Sequence, residues 1–315
     1  MNFTRRNFIK ATSVSTAGVA IAPELAAKLI SSHKTNKVCV FSKCLQFLNY
    51  EELGKTIAKL GFDGADLTVR KGGHVLPENV IVDLPKAVKA IRKAGADVHM
   101  IVTDINDPDD KHTENILSTA ADLGIKYYRM GYFKYNSNDT VFDSLDNNKR
   151  QLEGLLKLNR KYNVKSGYQN HSGPWGMVGA AVWDLHYLLR DFDPKYIGVQ
   201  YDIMHAVAEG GFSWEVALKV IAPWINSLAI KDFVWKKGGK RWETKWVPLG
   251  EGMVNFKKYL NEIDAKLSSV PITLHYEYDL GGAELGNKNP SMLPEDIYKH
   301  LTRDLHYFKN TLLGS

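Results

Sequence analysis

A single (β/α)8 TIM barrel is the fold this sequence predicts. Three observations carry it. Short apolar runs alternate with amphipathic helical stretches from residue 38 onward, the pattern of parallel βαβ construction. Eight such units fit in about 280 residues, a usual length for such a barrel. The last four apolar runs, VKSGYQNH (164–171), IGVQYDIMH (197–205), SLAIKD (227–232) and ITLHYEY (272–278), each finish in polar groups. Polar groups gathered at strand C-termini are what a barrel shows where it carries an active site.

The elements follow in order. Val38–Phe41 is the first strand. A helix over Tyr50–Leu60 places Leu53, Ile57 and Leu60 on one face and stops at Gly61. The second strand is Gly64–Val69. A loop with Gly72, Gly73 and Pro77 leads to a helix near Leu84–Ala94, stopped by Gly95. Asp97–Thr103 is the third strand, followed by a helix near His112–Leu123. Lys126–Met130 is the fourth, followed by a long helix over Phe142–Tyr162. Val164–Gln169 precedes a helix near Val178–Leu189, and Ile197–Asp202 precedes one near Trp214–Ile221. After the seventh strand, Ser227–Lys231, a polar loop Trp235–Gly252 leads to a helix at Val254–Leu267. The eighth strand is Ile272–Tyr276, and the last helix is Pro294–Leu312. The alternative is an open doubly wound sheet. No glycine-rich phosphate fingerprint follows the first strand (Phe41-Ser42-Lys43-Cys44), which argues against its dinucleotide-binding form.

The chain opens Thr4-Arg5-Arg6-Asn7-Phe8-Ile9-Lys10, a twin arginine ahead of apolar residues. The mild apolar stretch Ala11–Ala22 follows, then small residues at Ala26 and Ala27. The stretch falls short of the ~20 strongly apolar residues a membrane span needs. Residues 1–31 therefore read as a twin-arginine-type signal and 32–315 as the barrel domain, with export to the periplasm expected. Net charge is +6, part of it from Arg5, Arg6, Lys10 and Lys28 in that leader, so no polyanionic partner is called for. Lys236–Lys237 and Lys240–Arg241 read as a solvated loop. Cys39 and Cys44 lie too far apart along an extended segment to bridge and read as free thiols, with Cys44 near the active end, where it could line the pocket.

Side chains alternate along a strand, so parity sorts the polar groups. Gln169 shares a face with His171, Gln200 with Asp202, Ala229 with Lys231, and His275 with Glu277. The opposite parity reads Tyr168, Val199, Tyr201, Leu228, Ile230, Leu274 and Tyr276, which suits a layer facing helices. The polar parity must point into the barrel, where burial is costly unless the groups pair or serve a ligand. Earlier strands and loops add Lys43, Asp66, Thr68, Arg70, His74 and Arg129.

These positions also carry a resemblance. Leu60-Gly61-Phe62-Asp63-Gly64, Asn170-His171, Asp202-Ile203-Met204-His205, Lys231-Asp232, Pro248-Leu249-Gly250-Glu251-Gly252 and Glu277, in that order, resemble the xylose-isomerase-like, sugar phosphate isomerase/epimerase barrels. The resemblance implies one divalent metal, manganese preferred, with magnesium, zinc or cobalt as substitutes. The family holds it by a Glu, an Asp, a His and a Glu from four successive strands. The Asp falls on Asp202 and the last Glu on Glu277. Gln169 occupies the first Glu position, and Ala229 occupies the His position. His205, His171 or His275 could supply a replacement donor. Alternatively, the ammonium of Lys231 supplies the positive charge instead.

Family enzymes of this kind remove a proton next to a carbonyl and stabilise the enediolate that forms. Glu277 is then one proton carrier, with His171, His205 or Lys231 as the second group. Lys43, Arg70, His74 and Arg129 are expected at substrate hydroxyls, with Trp175, Trp235 and Trp246 as stacking candidates. The expected partner is a small free sugar or keto-sugar, without nucleic acid or a stable membrane anchor, and homo-oligomer formation is left open. Two other readings remain: a lyase or hydratase on oxidised (3-keto) glycosides, and a non-catalytic sugar-binding protein. A nuclease on the same barrel would need more inward His and Glu ligands and a more basic groove.

Overall fold

The computed structural model describes residues 36–173, 176–263 and 269–312. The leader at 1–31 and Trp175 lie outside the described residues. Among those residues, eight parallel strands close into a barrel, as the alternation predicts. They are β1 (Val38–Phe41), β2 (Gly64–Thr68), β3 (Asp97–Val102), β4 (Tyr127–Arg129), β5 (Lys165–Gln169), β6 (Ile197–Asp202), β7 (Ile225–Ile230) and, after a hairpin, β10 (Ile272–Leu274). β10 closes the ring by pairing with both β1 and β7.

Helices α1 (Tyr50–Leu60), α2 (Val80–Lys93), α3 (Thr113–Asp122), α4 (Val141–Tyr162) and α5 (Val182–Leu189) connect the first six strands. α6 (Ile203–Gly210) and α7 (Trp214–Ile221) follow β6, α8 (Phe256–Glu262) precedes β10, and α9 (Pro294–His306) ends the fold with a π turn at Tyr307–Leu312. α1 starts where the Asn49 side chain accepts from the Glu51 and Glu52 amides.

The packing follows strand parity. Tyr168, Val199, Tyr201, Leu228, Ile230, Leu274 and Tyr276 are all buried between sheet and helices. Each fully buried aliphatic side chain of this layer contributes about 1.5–3 kcal/mol. Two of the three tyrosines find partners: Tyr168 donates to the Val178 carbonyl at 2.9 Å, and Tyr276 to that of Leu301 at 2.9 Å.

Five local expectations are corrected. The segment read as a polar loop from Trp235 is an antiparallel hairpin, β8 (Asp232–Gly238) and β9 (Arg241–Val247). Its turn uses Gly239 at φ +60, a conformation open to glycine. α6 begins directly after β6 because Asp202 caps it, accepting from the His205 amide. α5 starts at Val182 rather than near Val178, and the eighth barrel strand stops at Leu274. Cys44 does not line a pocket: the 3-10 turn Ser42–Leu45 rotates it into the core. There its thiol donates to the Phe41 carbonyl, and burial pushes its pKa up to about 12.

Candidate active site

The polar ends of β5, β6, β7 and β10 converge on one ammonium. Lys231 follows the last residue of β7 and is buried, and its Nζ lies 3.0 Å from Glu277 Oε2 and 3.3 Å from Asp202 Oδ2. Burial alone would lower the Lys231 pKa, but the two carboxylates raise it, so this group keeps its proton.

The two carboxylates differ. Asp202 is fully buried and held on every side. Asn170 clamps its backbone, donating to its carbonyl at 2.9 Å and accepting its N–H at 2.7 Å. Its Oδ2 also accepts from Gln169 Nε2 at 2.8 Å. Burial raises its pKa and Lys231 opposes that rise. Glu277 keeps 16% side-chain exposure. Its Oε1 stands 3.7 Å from Lys43 Nζ and 3.8 Å from His275 Nδ1, beyond hydrogen-bond reach of either. Burial would raise the Glu277 carboxyl, yet Lys231 and Lys43 hold it well below the usual range. Glu277 is therefore the ionised, open carboxylate and Asp202 the anchored one.

Gln169 is oriented by its neighbours. Its Oε1 accepts from Arg129 at 3.0 Å and from the Tyr132 hydroxyl at 2.6 Å, so its amide N–H2 faces Asp202. Arginine can only donate and an ionised carboxylate can only accept, which fixes this orientation.

Beside this group lie two imidazoles in contact, His171 and His205, with ring centroids 3.9 Å apart and planes tilted by 35°. His171 is half-buried and donates from Nδ1 to the Ser172 carbonyl at 2.9 Å, which leaves Nε2 with its lone pair. Burial and then Lys231 lower its pKa to about 4. His205 is buried behind it, with Nδ1 hydrogen-bonded to Ser172 Oγ at 2.8 Å and a pKa well below normal, through burial first. The geometry thus presents His171 and holds His205 in support.

The substrate-side expectations divide. Arg70, Lys43 and Arg129 gather around the Phe41 ring at 5.6, 5.6 and 5.9 Å, and that ring stacks on His275. Lys43 and Arg70 line a cavity of about 320 Å3 on this side of the mouth. His74 uses both ring nitrogens elsewhere. Nε2 donates to the Leu45 carbonyl at 3.1 Å, while Nδ1 meets Ser42 Oγ at 3.2 Å and Thr68 Oγ1 at 3.1 Å. It latches two loops together and has nothing left for a ligand. Trp235 and Ser172 border a second cavity, about 410 Å3, walled by the hairpin. Both volumes lie within the ~300–1,000 Å3 typical of small-molecule sites. Trp246 is packed against the core instead.

The roles of three residues were not legible in the sequence. Tyr132 packs edge-on to His171 at 5.3 Å and bonds Gln169, but as a lone aromatic after a strand it gave no signal. Phe41 looked like ordinary core. The Asp232 carboxylate accepts from the amides of Phe233, Gly250, Gly252 and Val254 at 2.9–3.1 Å. A Cβ at Gly252 would overlap that carboxylate. Lys231-Asp232 and Pro248–Gly252, which carry the resemblance, are thus one interlocked unit that fixes the end of β7.

The residues present differ from the metal set that the resemblance implies. Ala229 offers no donor, the Gln169 carbonyl oxygen is engaged by Arg129 and Tyr132, and an ammonium lies between the two carboxylates. Among the described residues no three His, Cys, Asp or Glu side chains converge as a metal site. As arranged, the donors do not fit a resident divalent ion.

Comparison with known proteins agrees with the fold. An uncharacterized protein of Methanocaldococcus jannaschii is 26% identical over 134 residues, which is 42% of this chain and 44% of that protein. The chain therefore spans less than half of that relative's length in the match. Among solved structures, the IOLI protein with a bound zinc atom aligns with a TM-score of 0.66 at 15% identity, covering 88% of this chain and 99% of that one. A probable 3-DHS dehydratase from Bacillus anthracis aligns with a TM-score of 0.65 at 14% identity, over 87% and 99%. The 3-keto-D-glucoside 4-epimerase of E. coli aligns with a TM-score of 0.60 at 14% identity, over 86% and 99%. At these identities the likeness is one of fold. The xylose isomerase-like TIM barrel model matches residues 55–299, most of the barrel, and the chain belongs to that family.

Proposed function

We propose that this chain is a sugar isomerase- or epimerase-type enzyme that moves a proton at the carbon next to a carbonyl of a free sugar or keto-sugar. One observation carries the reading. An open carboxylate and a neutral imidazole stand three strands apart on the eight-strand ring, with a buried ammonium on a strand between them. Glu277 Oε1 takes the proton from carbon, and the C–H electron pair moves through the new double bond onto the carbonyl oxygen. Lys231 and Arg129 stabilise the negative oxygen that results. His171 Nε2 takes the proton of the neighbouring hydroxyl and passes it to the other oxygen, while Glu277 returns its proton to carbon. Asp202 and His205 position Lys231 and His171. Similar barrels bear names of epimerases and a dehydratase, which supports chemistry beside a carbonyl. The dehydratase also favours a second reading, in which the same enediolate expels a group from the β carbon.

The test is proton NMR in D2O with ketohexoses and a 3-keto-glucoside. Wild type is expected to place deuterium on the carbon next to the carbonyl and to form a rearranged sugar. His171→Gln should keep the deuterium exchange and lose product formation about 100-fold or more. An unsaturated ketone product would identify the elimination reading. Binding of these sugars with no exchange in any of them would leave a sugar-binding protein.

Export is proposed on the strength of Arg5-Arg6 and the apolar run after them. Fractionation of cells producing the full chain should find it in the periplasm. Arg5→Lys/Arg6→Lys should hold it in the cytoplasm, and unchanged export in that variant would refute the proposal.

A further inference from the structure

We infer that Lys231 is the resident cation of this barrel: its ammonium occupies the place that the family resemblance assigns to a divalent metal, and the site excludes the metal. The catalytic meaning of this rests on the proton-transfer reading; the occupancy itself does not.

Geometry supplies the first argument. The two ligand positions that the chain retains, Asp202 and Glu277, both point a carboxylate oxygen at one nitrogen, at 3.3 and 3.0 Å. A metal binding both oxygens would have to fall where Nζ is. The second argument is the direction of the remaining groups. Gln169 turns its N–H2 donor, not its oxygen, toward Asp202. A cation-binding site needs lone pairs there, whereas a donor suits a carboxylate already neutralised by an ammonium. Ala229 completes the pattern, since the position of the missing imidazole is a buried methyl group.

Charge supplies the third argument. With Gln169 and Ala229 at two of the ligand positions, two carboxylates remain, and the ammonium of Lys231 offsets one of their two negative charges inside the barrel.

Two imidazoles remain within reach and define the test. His205 Nε2 lies 3.9 Å from Asp202 Oδ2, and His275 Nδ1 lies 3.8 Å from Glu277 Oε1, both without a hydrogen-bond partner among the described residues. With the ammonium gone, these four side chains could close on a metal.

The full chain, wild type and Lys231→Ala, would be titrated with Mn2+ and followed by electron paramagnetic resonance. Wild type should bind no manganese specifically at millimolar concentration. Lys231→Ala should bind one ion at least ten times more tightly than wild type. Lys231→Arg, which keeps the charge, should remain metal-free. Tight binding of one manganese by wild type would overturn the inference whether or not the variants fold, and so would a folded Lys231→Ala that gains none. The titration uses no sugar. Metal exclusion without any proton exchange would leave this inference standing and remove the proposed reaction alone.

Discussion

Glu277→Gln is expected to lower kcat/KM on the order of 10^3-fold, the usual contribution of a positioned general base, with little change in the fold. Of the two carboxylates that meet Lys231, the substitution removes the one with an oxygen outside hydrogen-bond reach of its neighbours and leaves Asp202 in place to hold the ammonium. The new amide sits at a partly exposed position, 16% accessible in wild type, so water reaches its polar atoms. It cannot accept a proton from carbon at any ordinary pH. Initial rates with circular dichroism melts would separate lost chemistry from lost structure. A variant that keeps activity within tenfold would show that the proton goes to another group.

Asp66→Asn is expected to stabilise the protein, and by an amount that grows with pH. Asp66 lies fully buried on β2, and neither carboxylate oxygen has a hydrogen-bond partner among the described residues. Burial raises its pKa from 3.8 to about 7, against the pull of Arg129. The native state therefore binds this proton more tightly than the unfolded chain between those values. Stability from this group is present below the unfolded pKa and is lost as pH rises through the folded one. A shift of this size corresponds to roughly 4 kcal/mol once the group is ionised. Asparagine carries no charge to bury. The variant should match wild type near pH 4 and exceed it by up to roughly 4 kcal/mol near pH 8. The lowered pKa values of His74, His171 and His275 give an opposite trend in each protein. They cancel in the difference. Urea melts of both proteins across this range check the prediction, and an advantage that does not change with pH would contradict it.

Strand parity read the inward set of β5, β6, β7 and β10 because alternation is a local property of an extended chain. The same physics failed at the hairpin. β8 and β9 run out into solvent, with residues 235–237 and 240–243 exposed, so no buried face imposed an apolar–polar pattern. Cys44 was misread for a related reason: its depth depends on the sense of a four-residue turn, which composition does not encode. Gln169 and Ala229 were legible as departures from the family pattern. Where Lys231 would place its ammonium was not, because that depends on the Asp232 clamp, formed with amides about 20 residues downstream. Tyr132 and Phe41 belong to the site by contact alone and carry no pattern that distinguishes them from packing residues.

The proposed reaction moves a proton beside a carbonyl around a built-in ammonium. The most direct test is deuterium uptake by wild-type enzyme stripped with chelator, in D2O, with the ketohexoses and 3-keto-glucoside as substrates. Label is expected at the carbon next to the carbonyl at the same rate before and after stripping, with none in Glu277→Gln. Exchange that disappears on stripping and returns with added metal would contradict it.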